Sequence, residues 1–168
     1  RMEQMKWNKR FIYPKSSRSL VMGQRHYDIG NDKLPSVTTI LSNTQSEEKK
    51  ESLARWKQNV GEKKADDIKN QAAERGSIMH RIIESYILGE KHADLSDVGM
   101  QAGEMAKIVF DQGLRGCMDE IWGSEVTLYY PELYAGATDL CGIYENRESI
   151  IDFKQSNNPK KREWIEDY

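Results

Sequence analysis

The amino-acid sequence predicts a layered α/β domain with a helical N-terminal half followed by three strands. Two observations carry this expectation. Within Gly76–Leu88, residues Ile78, Met79, Ile82, Ile83, Tyr86 and Ile87 recur at helical spacing and form a wide apolar face. Further on, Glu125–Tyr130 and Tyr134–Tyr144 alternate apolar with polar residues, and Ser149–Phe153 is a short apolar run. A change from the helical to the extended period in mid-chain is what helices packed on a sheet require.

The elements follow in order. Residues 1–24 are expected to form a basic arm. Arg1, Lys6, Lys9, Arg10, Lys15 and Arg18, with Arg25 just beyond, face a lone Glu3 and are interleaved with Trp7, Phe11 and Tyr13. Such a segment reads either as a solvated arm or as a backbone-binding arm with stacking aromatics. Residues 25–168 form the single remaining domain. Gln24–Ile29 reads as a short strand closed by the turn Gly30-Asn31-Asp32. Ser36 is the expected N-cap of a helix over Val37–Leu41, and Ser46 of the next, with Leu53 and Trp56 as its buried stripe. Residues 61–74 carry mixed charges and a thin apolar face, as a solvent-facing helix does. A helix from Asp97 to Arg115 should bury Met100, Met105, Ile108, Val109 and Leu114. Pro131-Glu132 and Glu145-Asn146-Arg147 are the turns between strands, and a polar, basic helix begins after Pro159.

With 168 residues the chain suits one domain and one core. A net charge of -2 argues against a dedicated nucleic-acid coat, yet is compatible with an enzyme that gathers carboxylates around a metal. Cys117 and Cys141 are far apart and form no CxxC, so nothing supports a disulfide framework, a structural zinc site or a four-cysteine cluster, and a reducing, cytoplasmic setting fits best. No apolar run is long enough for a membrane span.

The chemistry concentrates on a few acids. Asp139 and Asp152 each sit in an apolar strand, where an unpartnered carboxylate costs several kcal/mol. Two such acids on neighbouring strands imply a shared cation. In Asp152-Phe153-Lys154 the first and third side chains point to one face of a strand, so carboxylate and ammonium converge. A plain buried ion pair closing a hairpin is the competing reading; Asp139, and Glu125 one strand earlier, weigh against it. His80 and Glu84 share a face of the strong helix, either as a helix-stabilising pair or as a ligand set. Gly76 permits close backbone approach near them.

The order Gly76-x3-His80-x3-Glu84, Glu125, Gly136-x2-Asp139, Ile151-Asp152-x-Lys154 resembles the RecB-like branch of the PD-(D/E)XK nuclease superfamily. It is most similar to phage and mitochondrial-type single-domain exonucleases and to CRISPR-associated RecB-like nucleases. Leu34–Leu41 and Leu53-x2-Trp56 also look like the lead-in of phage versions, so the resemblance covers roughly 25–168. It implies a restriction-endonuclease-like core: a central mixed β-sheet flanked by helices. It implies that His80, Asp139, Asp152 and the Phe153 carbonyl bind Mg2+ or Mn2+, Asp152 standing where Glu is commoner. Lys154 would position the nucleophilic water, and Glu125 would support a second metal or the water network. Gln155, Arg75, Lys160, Lys161 and Arg162 would lie along the DNA. The implied function is a metal-dependent DNA exonuclease of phage replication, recombination or degradation, acting on single- or double-stranded ends in the cytoplasm (the host's, if phage-encoded), with room for a recombination or replication partner. An endonuclease of the same superfamily, a nuclease fold that only binds DNA, and an α/β interaction protein with buried ion pairs are the alternatives. The cysteines that hold an iron–sulfur cluster in some relatives are absent, and the family's Gln-x3-Tyr helix is not in this sequence, so the domain is expected to lack it.

Overall fold

The chain begins with a β-meander. In the computed structural model, which describes residues 5–156 and 161–163, strands β1 (Ser16–Val21), β2 (Gln24–Ile29) and β3 (Asp32–Pro35) pair antiparallel in that order. Ser16–Val21 of the expected basic arm is therefore a strand. Its turn at Met22-Gly23 has both residues at positive φ, the geometry of a tight hairpin. Trp7 and Asn8 are also tied down. The Asn8 N–H donates to the Ile121 carbonyl at 2.8 Å, and the Ile121 N–H donates to the Lys6 carbonyl at 2.8 Å.

Four helices follow: α1 (Val37–Asn43), α2 (Glu47–Val60), α3 (Glu62–Leu88) and α4 (Asp97–Ile108), the last running on as a π-helical turn over Val109–Leu114. The expected caps form, Ser36 accepting from the Thr38 N–H at 3.2 Å and Ser46 from the Lys49 N–H at 3.3 Å. Residues 61–74 do not make a separate helix; they are the first half of α3, which passes through Gly76 unbroken. The stripe expected on α2 is not buried. Leu53 and Trp56 remain 48% and 37% exposed, because α2 packs mainly on the charged first half of α3, where Ala65 alone is buried. On α4 the core residues are Ala102 and Ala106, while Met100 and Ile108 are exposed. The small side chains allow α3 and α4 to pack closely, Met105 and Val109 pack against the core as expected, and Met100 and Ile108 fall on the outer face.

The second sheet is β4 (Met118–Tyr130), β5 (Tyr134–Tyr144) and β6 (Arg147–Ile151), again antiparallel in chain order. The expected central mixed sheet is thus replaced by two three-stranded antiparallel sheets among the described residues. Their parallel contacts are limited to isolated bridges, Trp7 with Ile121 and Ser36 with Ala135. Short hairpin turns after β4 and β5 dictate this, since a parallel neighbour needs a long crossover. The main core lies between α3, α4 and the second sheet, built from Ile78, Met79, Ile82, Ile83, Ile87, Phe110, Leu114, Ile121, Leu140 and Phe153. A smaller cluster of Tyr27, Ile29, Leu34 and Ala135 joins the first sheet to β5. The expected helix after Pro159 lies largely outside the described residues. Among the described residues no helix is long and apolar enough to cross a membrane.

Candidate active site

Strand register puts the acids in a row. The pairs Ser124↔Leu140 and Val126↔Thr138 bracket Glu125 and Asp139, setting them opposite each other. The last β5–β6 pair is Leu140↔Ile151, so the next position sets Asp139 beside Asp152 just past the end of β6. Glu125 sits at φ 52°, a left-handed conformation in mid-strand between regularly paired neighbours. A non-glycine residue held there costs on the order of 1–3 kcal/mol, and such strain concentrates where a side chain must be aimed.

His80 meets this row from α3. Its Nδ1 lies 3.3 Å from Asp139 Oδ1, and its Nε2 lies 2.9 Å from the Phe153 carbonyl oxygen. The other Asp139 oxygen accepts the Phe153 N–H at 2.7 Å. Phe153 itself is buried with its ring edge-on to His80, which fixes the backbone around which these contacts form. One ligand atom each from His80, Glu125 and Asp139 lie within 4.8 Å of one another. Lys154 Nζ stands 3.0 Å from Asp152 Oδ2, both side chains more than half exposed. The expected convergence in Asp152-Phe153-Lys154 holds, although Asp152 and Lys154 lie beyond the strand and not in it.

The electrostatics are those of a site crowded with acid. The hydrogen bond to Asp139 is the main cause that raises the His80 pKa, against the opposing effect of burial. Burial pushes Asp139 upward, but hydrogen bonds from His80, Phe153 and Asp152 outweigh it and hold Asp139 below the ordinary carboxylate range. Glu125 is raised by burial and by repulsion from Asp139. Asp152 is raised by burial, with Lys154 opposing and Asp139 adding to the rise. The imidazole of His80 and the carboxylate oxygens of Glu125 and Asp139 are a donor set that suits a divalent cation.

Gln155 turns back onto α3. Its Oε1 accepts from Arg75 Nε at 2.7 Å, and its Nε2 donates to the Ala72 carbonyl. A Cβ at Gly76 would lie 3.2 Å from Gln155 Nε2, so the glycine leaves room for this crossing one turn before His80. Gln155 and Arg75, expected along the DNA, are here bonded to each other. Lys161 and Arg162 are exposed, Lys161 4.0 Å from Glu163, while Lys160 lies outside the described residues.

Two clefts flank the acids. One of about 560 Å³ is lined by Gly76, His80, Arg81, Glu84 and Glu125. The second, about 600 Å³, brings Arg18, Arg25 and Lys49 into the same groove as Asp152 and Lys154. Arg18 and Arg25 belong to the basic N-terminal run. Lys49 carries no sequence signal, because it is one of many alternating charges on α2.

Fold and site together define a mixed α/β chain with a histidine–carboxylate centre suited to a hard divalent cation, next to a groove bearing basic side chains. No family model matches the chain. Over 137 residues it is 26% identical to mitochondrial genome maintenance exonuclease 1 of Xenopus tropicalis, an alignment that covers 79% of this chain and 39% of that protein.

Proposed function

We propose that this chain is a Mg2+- or Mn2+-dependent deoxyribonuclease that hydrolyses phosphodiester bonds as an exonuclease. The observation that carries the reading is the meeting of His80, Glu125 and Asp139 within 4.8 Å, beside the Phe153 carbonyl and the Asp152–Lys154 pair. The similarity to a protein named as an exonuclease supports it.

His80, Asp139, Asp152 and the Phe153 carbonyl would hold the cation, with Glu125 supporting a second ion or the water beside it. When bound, such an ion supplies Lewis acidity toward a phosphate oxygen and lowers the pKa of a coordinated water. Asp139 is oriented for this by the Phe153 N–H, so its free lone pairs keep one direction. Lys154 orients the attacking water and holds the negative charge that develops on the phosphoryl oxygens. Water attacks phosphorus in line; one P–O bond forms as the bond to the leaving oxygen breaks, the water gives up a proton to solvent, and the leaving alkoxide takes one up to become the alcohol. Arg18, Arg25 and Lys49 hold neighbouring phosphates in the groove.

End-labelled linear DNA and closed circular DNA, single- and double-stranded, test this with Mn2+ and with Mg2+. Linear substrates are degraded and circles survive. Circles cut as fast as linear DNA would replace the exonuclease reading with an endonuclease. Binding without metal-dependent cleavage would leave only a DNA-binding nuclease fold.

A further inference from the structure

The segment before β1 does more than cover an edge of β4. A cleft of about 610 Å³ lies over β4–β6, lined by Phe11, Tyr13, Trp122, Tyr129 and Ile150 among others. Phe11 and Tyr129 are each 46% exposed, and Ile150 is 70% exposed. Yet the segment is fixed. Phe11 packs edge-on against Trp122 with centroids 5.3 Å apart, and the Tyr13 hydroxyl donates to the Trp122 carbonyl at 2.8 Å. Arg10 spreads over both rings, 4.8 Å from the Phe11 centroid and 5.2 Å from that of Trp122. Lys9, Arg10 and Lys15 are exposed in the same segment, next to the residues that line the cleft, and Glu148 is the one acid lining it.

This cleft abuts the groove that holds Lys154. Ile150 lines both, and Thr127 of the first is the strand partner of Ala137 of the second. The chain itself runs from Phe11 past Ser16, which hydrogen-bonds Thr127 at 2.8 Å, to Arg18 in the groove. We infer that Phe11 and Tyr129, flanked by Lys9, Arg10 and Lys15, form a base-stacking platform for a single DNA strand, continuous with the catalytic groove. Flat, half-exposed rings interleaved with cations match a polymer of flat bases and phosphates, and a neutral apolar partner would have no use for the cations. The identity of the occupant rests on the proposed function; the surface and its continuity do not.

Anisotropy of labelled oligo-dT of about 4 and about 20 nucleotides, with Ca2+ in place of Mn2+, tests the platform on the whole chain. The double variant Phe11→Ala/Tyr129→Ala should bind the longer strand about tenfold or more weakly. It should bind the short strand, and cleave it with Mn2+, as the parent does. Phe11→Leu/Tyr129→Leu, which keeps the apolar volume, should show the same loss if the alanine variant fails to fold. Lys9→Gln/Arg10→Gln/Lys15→Gln should lower the salt slope for the longer strand by about 2. Unchanged affinity of the longer strand in the leucine variant, or a parent dimer that Phe11→Ala splits, overturns the inference. A parent that binds through this face but cleaves nothing overturns the proposed nuclease instead and leaves the platform standing.

Discussion

His80 has an oxygen acceptor on each ring nitrogen, Asp139 on one side and the Phe153 carbonyl on the other. A carbonyl can only accept, so Nε2 carries a proton, and the carboxylate beside Nδ1 favours a second. When both ring nitrogens are protonated, the imidazolium supplies positive charge beside Asp139 that a bound cation would replace. The pH consequences have definite signs. The His80 pKa is raised, so its contribution to stability is complete below the unfolded value of about 6.5 and fades as pH rises through the higher folded value. That of Asp139 is lowered, so its contribution is present above about 3.9 and is lost as pH falls through the lower folded value. His80→Ala should thus lower the melting temperature of EDTA-treated protein more at pH 5.5 than at pH 8.5; an equal drop at both would refute the ion pair. In the proposed function Lys154 acts on the reaction and not on the fold. Lys154→Ala should reduce cleavage by about 100-fold or more while the melting temperature stays near that of the parent. The types of these residues were legible in the sequence, since Asp, Lys and His in apolar surroundings need a reason. Their distances were not, because they depend on where β5 and β6 come into register.

Glu125 belongs to the scale of the strand. Its left-handed backbone in mid-β4 and its repulsion by Asp139 both oppose folding in the absence of a cation. Glu125→Gly removes both, so the metal-free variant should melt no lower than the parent while Mn2+ stabilises it less. A clear loss of metal-free stability would show that Glu125 is structural. Gly76 is the matching case on α3. A mid-helix Gly→Ala change normally gains about 1 kcal/mol, but here the new Cβ meets Gln155 Nε2 at 3.2 Å. Gly76→Ala should therefore stabilise more in a Gln155→Ala background than alone, a coupling that a double-mutant cycle of melting curves would read directly. Caps and periodicity made α1, α2 and the end of α3 legible, because Ser36, Ser46 and the isoleucine stripe are local signals. Of the early sheet, β2 was legible over Gln24–Ile29, whereas β1 and β3 were not, and for β1 the reason is physical. β1 is polar and mostly exposed, so it lacks the alternation that a half-buried strand displays. Leu53 and Trp56 misled in the opposite sense, since an apolar stripe states what a helix could bury and not whether a partner arrives.

At the scale of the molecule, the two sheets and α3 set the acid row between a cleft near His80 and a groove carrying Arg18, Arg25, Lys49 and Lys154. A mixed central sheet was expected from the resemblance, and short hairpins gave an antiparallel one; the row of acids survives because it needs only adjacent strands in register. Metal binding to the folded state should stabilise the whole chain. At about 100 times the dissociation constant the gain is about 2.7 kcal/mol, or about 5–10 °C for a domain of this size. On the proposed function this row is a cation-dependent cleavage centre. Its most direct measurement is the rate at which end-labelled linear DNA is degraded as Mn2+ is titrated, with the parent and the folded Asp139→Asn variant side by side. The parent should show a saturable rise and none in EDTA, and Asp139→Asn a loss of about 100-fold or more. Equal cleavage by both proteins, or cleavage by the parent that ignores Mn2+ and EDTA alike, would contradict it.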